Sequence, residues 1–163
     1  MTQGTDISGM SLRACTPTEY PAFEARSRQE YAEEIHRNGV GTLEAARAKA
    51  DADLARLLPD GIDSVDQHIL TVVDGNGDQV GSIWIGMKDG VDGPEAFGYD
   101  FWIRPELRDA GLGRRAMELA ADHARTLGAV RLGLNVFGDN ERALHLYRSF
   151  GFQVTSVNMA MQL

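Results

Sequence analysis

The sequence predicts one α/β (α+β) domain, a mixed, mostly antiparallel sheet of six to seven strands with about four helices on both faces. Three observations predict it. Two amphipathic helical stretches fill the N-terminal third, and an alternating β-meander follows them. An apolar strand then runs through a two-glycine turn into a helix and a further strand. A length of 163 residues is that of one domain with a substantial core.

The elements follow in order. Residues 1–10 carry no pattern and read as a loose tail. Ser11 to Thr16 suit a short first strand, which Pro17 ends. Thr18 is placed to cap a helix whose apolar face, Tyr20, Phe23, Ser27, Tyr31 and Ile35, recurs every three or four residues until Gly39. A second helix starts at Thr42, carries Leu43, Ala46, Ala50, Leu54 and Leu57 along one stripe, and stops at Pro59-Asp60-Gly61.

Strands at 68–73 and 79–85 flank Asp74-Gly75-Asn76-Gly77-Asp78, a turn rich in residues that accept positive φ, and so form a hairpin. A looser loop from Lys88 to Glu95 leads to a third strand, Phe97 to Ile103. The helix from Leu112 to Leu127 buries Ala116, Leu119, Ala120, Ala124 and Leu127, and Gly128 closes it. Val130, Leu132, Leu134 and Val136 then alternate with polar or small neighbours as a strand. A strand–helix–strand unit of this kind makes a right-handed crossover, so this strand runs parallel to Phe97–Ile103. Gly138-Asp139-Asn140 caps a last helix ending at Gly151, and residues 153–163 supply the terminal strand or strands.

Composition narrows the function. A formal net charge of −8 argues against general nucleic-acid or anionic-membrane binding, both of which need basic surface. The single cysteine, Cys15, excludes an internal disulfide. No basic, apolar leader opens the chain and no run is long enough to span a bilayer, so the expected location is the cytoplasm. No cluster of His, Cys, Asp and Glu has metal-ligand spacing, so no metal is expected.

The chemistry concentrates at Arg108-Asp109-Ala110-Gly111-Leu112-Gly113-Arg114. Glycines let backbone N–H groups approach an anion, and the helix that follows adds unpaired amides and a partial positive charge. Four arginines, at 104, 108, 114 and 115, face two acids across this turn in a chain that is acidic overall. Cations at a helix N-terminus oppose the macrodipole unless an anion lies between them, which points to a bound phosphate. A solvated turn with surface arginines is the alternative. No Gly-Lys-Ser/Thr of a P-loop follows, and the glycine spacing fits a dinucleotide-binding fingerprint poorly.

Arg108-x-x-Gly111-x-Gly113, between a strand ending Ile103-Arg104-Pro105 and a helix, resembles the acetyl-CoA pyrophosphate loop of GNAT-type N-acetyltransferases. The segment Asn140-x-x-Ala143-x-x-x-Tyr147-x-x-x-Gly151-Phe152 is similar to a second motif of that superfamily. The resemblance covers residues 66–163 well. It implies a GNAT-like fold, with the helices of 18–60 on the acceptor side and 96–152 as the acetyl-CoA-binding core.

Thioester aminolysis needs a neutral amine, a polarised carbonyl and a proton for the departing thiolate. The resemblance implies that backbone groups near Trp102 and Ile103 hold the pantetheine arm and that the loop from Arg108 through Asp109, Ala110, Gly111, Leu112 and Gly113 to Arg114 binds the pyrophosphate. Asn135 and Asn140 are expected to touch the pantetheine or serve as caps. The resemblance implies Tyr147 as the general acid, with packing in the core as the alternative. Asp100, among Tyr99, Phe101 and Trp102, is either the base or a structural acceptor. Glu30, Glu33, Glu34 and Glu44 lie off the apolar stripes and read first as a solvated face; the resemblance puts this helical pair on the acceptor side, where one or two of them could hold the amine.

The reading is therefore an acetyl-CoA-dependent N-acetyltransferase that acts on a primary amine of a small molecule or peptide. A non-catalytic acyl-CoA-binding regulatory module of the same fold is the alternative, and a nucleotide-binding interaction protein a third. Exposed edge strands admit a homodimer.

Overall fold

The computed structural model describes residues 4–39, 41–161 and 163. Among these residues five strands, β1 (Ser11–Ala14), β2 (Gln67–Val73), β3 (Gln79–Gly90), β4 (Gly93–Ile103) and β5 (Arg131–Leu134), form one sheet in sequence order. Four helices accompany it: α1 (Tyr20–Arg37), α2 (Leu43–Leu57), α3 (Leu112–Thr126) and α4 (Glu141–Phe150). The first four strands pair antiparallel and β5 runs parallel to β4, as a strand–helix–strand crossover requires.

Strand alternation divides the core into two layers. Leu70, Val72, Ile83 and Ile85 point to one face, where they meet Leu112, Ala116, Met117, Ala120 and Ala124 of α3. The small alanines bring that helix close to the sheet. Ile69 and Trp84 point to the opposite face and pack with Phe23 of α1 and Leu54 of α2. Tyr147 and Phe150 of α4 and the following Phe152 lie against the first layer.

Several local expectations change. The loop expected from Lys88 to Glu95 is mostly strand, since β3 and β4 stay paired out to Gly90 and Gly93 and only two residues turn between them. Thr42 caps α2 as expected, accepting from the Ala45 amide at 3.2 Å. The turn before α1 is capped earlier than Thr18. Glu19 donates its amide to the Thr16 hydroxyl at 3.3 Å, and its carboxylate accepts from the Thr16 amide at 3.0 Å, a reciprocal capping box. Of the expected tail, residues 1–3 lie outside the described residues. The rest is tied down, with Met10 buried and the Asp6 carbonyl accepting from the Gly75 amide at 3.0 Å.

The sheet has five strands among the described residues, not six or seven. Residues 153–161 and 163 form no strand, and residue 162 lies outside the described residues. Val157, Met159, Met161 and Leu163 alternate as a strand would, yet all are exposed. A strand is held by a neighbour's ladder and by burial of its apolar face, and this segment has neither.

Glu19 ties three elements together. Both its carboxylate oxygens accept from Arg13 of β1, at 2.6 and 2.8 Å, and the same group accepts from the Thr71 hydroxyl of β2 at 3.0 Å. The Arg13 guanidinium above all holds the Glu19 carboxyl down to about 2. A depressed carboxyl stabilises the fold above its unfolded pKa, near 4.3, and the contribution vanishes as pH falls toward the folded value. The expected result is a loss of stability as pH falls from about 4.3 to about 2 that is shallower in Glu19→Gln, measured as urea midpoint against pH.

Candidate active site

The β4–β5 ladder stops at Gly98↔Leu134, while β4 continues paired to β3 as far as Ile103. Tyr99 to Ile103 therefore present a backbone edge that β5 does not cover. The two parallel strands part, and a cavity of about 820 Å³ opens in the gap, lined by Asp100, Trp102, Ile103, Arg108, Gly111 and Tyr147 among others.

At its far end lies the glycine turn. Gly111 caps α3 in the left-handed region, φ 83°, and nothing lies within 4 Å of where its side chain would begin. Asp109 is also left-handed, at φ 66°. Turns in these conformations, leading into a helix start, aim successive amides into one concavity. Among the described residues no amide from Asp109 to Arg114 donates to a protein acceptor, the first helical bond being that of Arg115 to the Gly111 carbonyl at 3.2 Å.

The expected binding residues divide by what their side chains do. Asp109, Gly111, Gly113, Arg114, Asn135 and Asn140 line the cavity, whereas Ala110 does not. Leu112 is 1% exposed and its side chain belongs to the core, which leaves only its amide for a ligand. Arg108 donates its Nε–H to the Ile103 carbonyl at 3.0 Å, folding the turn back onto the end of β4. Asn140 accepts from the Ala143 amide at 3.1 Å, so its oxygen serves as the α4 cap. Arg142, which sequence reasoning missed, lines the cavity and pairs with Asp109 at 2.7 Å.

Tyr147 reaches the cavity from α4, its ring 5.6 Å from that of Phe152. Burial, then the negative charges of Asp100 and Glu34, push its hydroxyl up to about 12. Asp100 was left between base and structural acceptor, and its surroundings favour the second. The Arg26 guanidinium of α1 faces both its oxygens, bonding one closely and the other at 3.5 Å. Arg26 also bonds Glu30 at 2.8 Å and Ser82 at 3.0 Å, and its guanidinium carbon lies 4.6 Å from the centre of the Trp102 ring. The Arg26/Glu30 spacing was visible as a helical i, i+4 pair; the partner on β4, 74 positions away, was not.

The acids of α1 separate in the same way. Glu33 is exposed and accepts from Gln29 at 2.9 Å. Glu34 is half-buried, lines the cavity, and makes no side-chain ion pair or hydrogen bond among the described residues. Burial pushes its carboxyl up, with Arg37 opposing and Glu30, Asp100 and Asp139 adding to the rise. Among the described residues no group of three or more His, Cys, Asp or Glu side chains could hold a metal ion.

The model of the acetyltransferase (GNAT) family matches residues 41–152. YdgE of Bacillus subtilis, named an uncharacterised N-acetyltransferase, is 31% identical over 153 residues, 94% of this chain and 98% of its own. The crystal structure of YycN from Bacillus subtilis superposes with a TM-score of 0.89 at 30% identity, covering 94% of this chain and 98% of that one. A spermidine N(1)-acetyltransferase of Escherichia coli is 45% identical over 53 residues, 32% of this chain and 28% of its own.

Proposed function

The chain belongs to the acetyltransferase (GNAT) family and is an N-acetyltransferase, and we propose that it uses acetyl-CoA to acetylate a primary amine of a small molecule or peptide. The amine attacks directly while both substrates are bound. The observation that carries this reading is the parting of β4 and β5 beside the amide-lined turn, with Tyr147 in the same cavity. The residues present fit the co-substrate: an open glycine turn with unpaired amides and flanking arginines suits a pyrophosphate, and an uncovered strand edge suits the amides of a pantetheine arm.

Acetyl-CoA supplies an activated acyl group, so much of the rate comes from holding two reactants together. The amides of Gly111 to Arg114 bind and orient, with Arg114 and Arg142 adding charge. The backbone of Trp102 and Ile103 aligns the arm, and Asn135 stands beside it. Tyr147 holds a proton for the departing sulfur, and its raised pKa keeps that proton in place throughout the working pH range. Asp100 fixes Arg26 and with it the wall between α1 and β4.

Similarity to a spermidine acetyltransferase over part of the chain supports an amine acceptor, and the acidic residues of α1 support a cationic one. A homodimer through the exposed edges of the sheet belongs to this reading. So does the cytoplasm, supported by the lone buried thiol of Cys15. The test is thiol release from acetyl-CoA in the presence of propylamine, spermidine or a peptide with a free N-terminus. Amine-dependent release confirms transfer; acetyl-CoA binding without release by any of the three leaves the regulatory acyl-CoA-binding module as the reading.

A further inference from the structure

Resting on the acetyl-transfer reading, we propose that Glu34 is the catalytic residue that receives the acceptor's ammonium and takes its proton. The other acids near the gap are engaged. Glu30 and Asp100 share Arg26, and Glu33 faces solvent beside Gln29. Glu34 alone among these four is half-buried with no partner among the described residues.

Its position is as specific as its lack of a partner. A second cavity of about 310 Å³ adjoins the first, and Glu34 lies on the wall common to both. This chamber reaches no residue of the Arg108–Arg114 turn and meets the pantetheine path only at Asn135, which puts its far end on the acceptor's side of the reaction. Tyr31, Trp84, Phe97, Tyr99 and Phe137 line it, as do Asp53, Arg56 and Lys88, whose charges are already met: Asp53 by Lys49 and Arg56, and Lys88 by Glu95. Aromatic faces with one unpaired carboxylate on the wall shared with the first cavity suit an alkylammonium, whose carbon chain packs on the rings while its charge is met by the acid. The acceptor class that follows is an aliphatic primary amine, in which the amino group ends an apolar stem.

The protons balance. Glu34 takes one proton from the ammonium, holds it while the acyl group is transferred, and passes it to solvent afterwards. The freed nitrogen lone pair bonds the acetyl carbonyl carbon, the carbon–sulfur bond breaks with its electron pair on sulfur, and Tyr147 gives its proton to that sulfur. The second proton that nitrogen sheds in becoming an amide returns to Tyr147. The two residues are coupled, because the charge on Glu34 helps hold the Tyr147 proton in place. Once Glu34 is neutral, Tyr147 becomes the stronger acid at the moment its proton is needed.

The test is Glu34→Gln, with the exposed Glu33→Gln as control. With propylamine or spermidine as probe, the Glu34→Gln variant is expected to lose about 100-fold or more in turnover, and Glu33→Gln none. Calorimetry should find acetyl-CoA affinity in Glu34→Gln within about threefold of wild type. The variant should also melt higher at neutral pH. A carboxyl raised on folding stabilises only below its unfolded pKa, and above that range a neutral amide removes the burden of a buried charge. Turnover retained in Glu34→Gln overturns the proposal, as does a joint fall of turnover and melting temperature, which marks a structural role. Acetyl-CoA binding with no transfer by wild type overturns the acetyl-transfer reading itself, and this inference with it.

Discussion

Tyr147→Phe lowers turnover by about 10²- to 10⁴-fold and leaves acetyl-CoA affinity within about threefold. The ring is the packing element, set against Phe152 at 5.6 Å, and phenylalanine keeps it. What is lost is one hydroxyl that faces the cavity and, among the described residues, bonds no protein group. Burial and two nearby carboxylates push that hydroxyl up to about 12, so it remains protonated across the whole range in which the domain is assayed. Tyr147 should therefore contribute no alkaline limb to the pH profile below about pH 11. Steady-state kinetics with calorimetry check this. Were Tyr147 only a core residue, the substitution would leave turnover unchanged.

Arg26→Met destabilises the domain by about 3 kcal/mol, since removal of one partner strands a buried charge. Arg26 and Asp100 are 17% and 13% exposed at their side chains, and Asp100 has no other ion-pair partner among the described residues. Methionine retains much of the packing over Trp102 but none of the charge. For a domain of this size the melting temperature should fall by roughly 10 °C. Arg26→Met/Asp100→Asn should recover part of that loss, because the stranded carboxylate is gone. An equal loss in the double variant would instead assign Arg26's contribution to packing and to its bonds with Glu30 and Ser82.

Much of this site could be read from local pattern. The glycine turn, the helix after it and the Asn140 to Phe152 segment each carry their signal within a dozen residues, and all form as expected. The parting of the parallel strands at Gly98↔Leu134 depends on register across the sheet, which alternation alone does not set. Helical spacing put Glu30, Glu33 and Glu34 off the apolar stripe of α1. It could not rank them, because the difference lies in Arg26 being drawn to Asp100, a contact between elements 74 positions apart. The missing terminal strands fail for the converse reason. Alternation from Val157 to Leu163 describes what a strand would present, and only a neighbouring ladder can make it one.

The most direct test of acetyl-CoA binding at the glycine turn is calorimetric titration of wild type, Gly111→Asn and Gly111→Asp. Both side chains tolerate the left-handed φ of 83°, both enter the same open space, and they differ by one negative charge. A carboxylate near a pyrophosphate is repelled by several kcal/mol at moderate dielectric, so Asp should bind acetyl-CoA at least about tenfold more weakly than Asn. Equal affinities in the two variants, or no binding by the folded wild type, would contradict the assignment of this turn to the co-substrate.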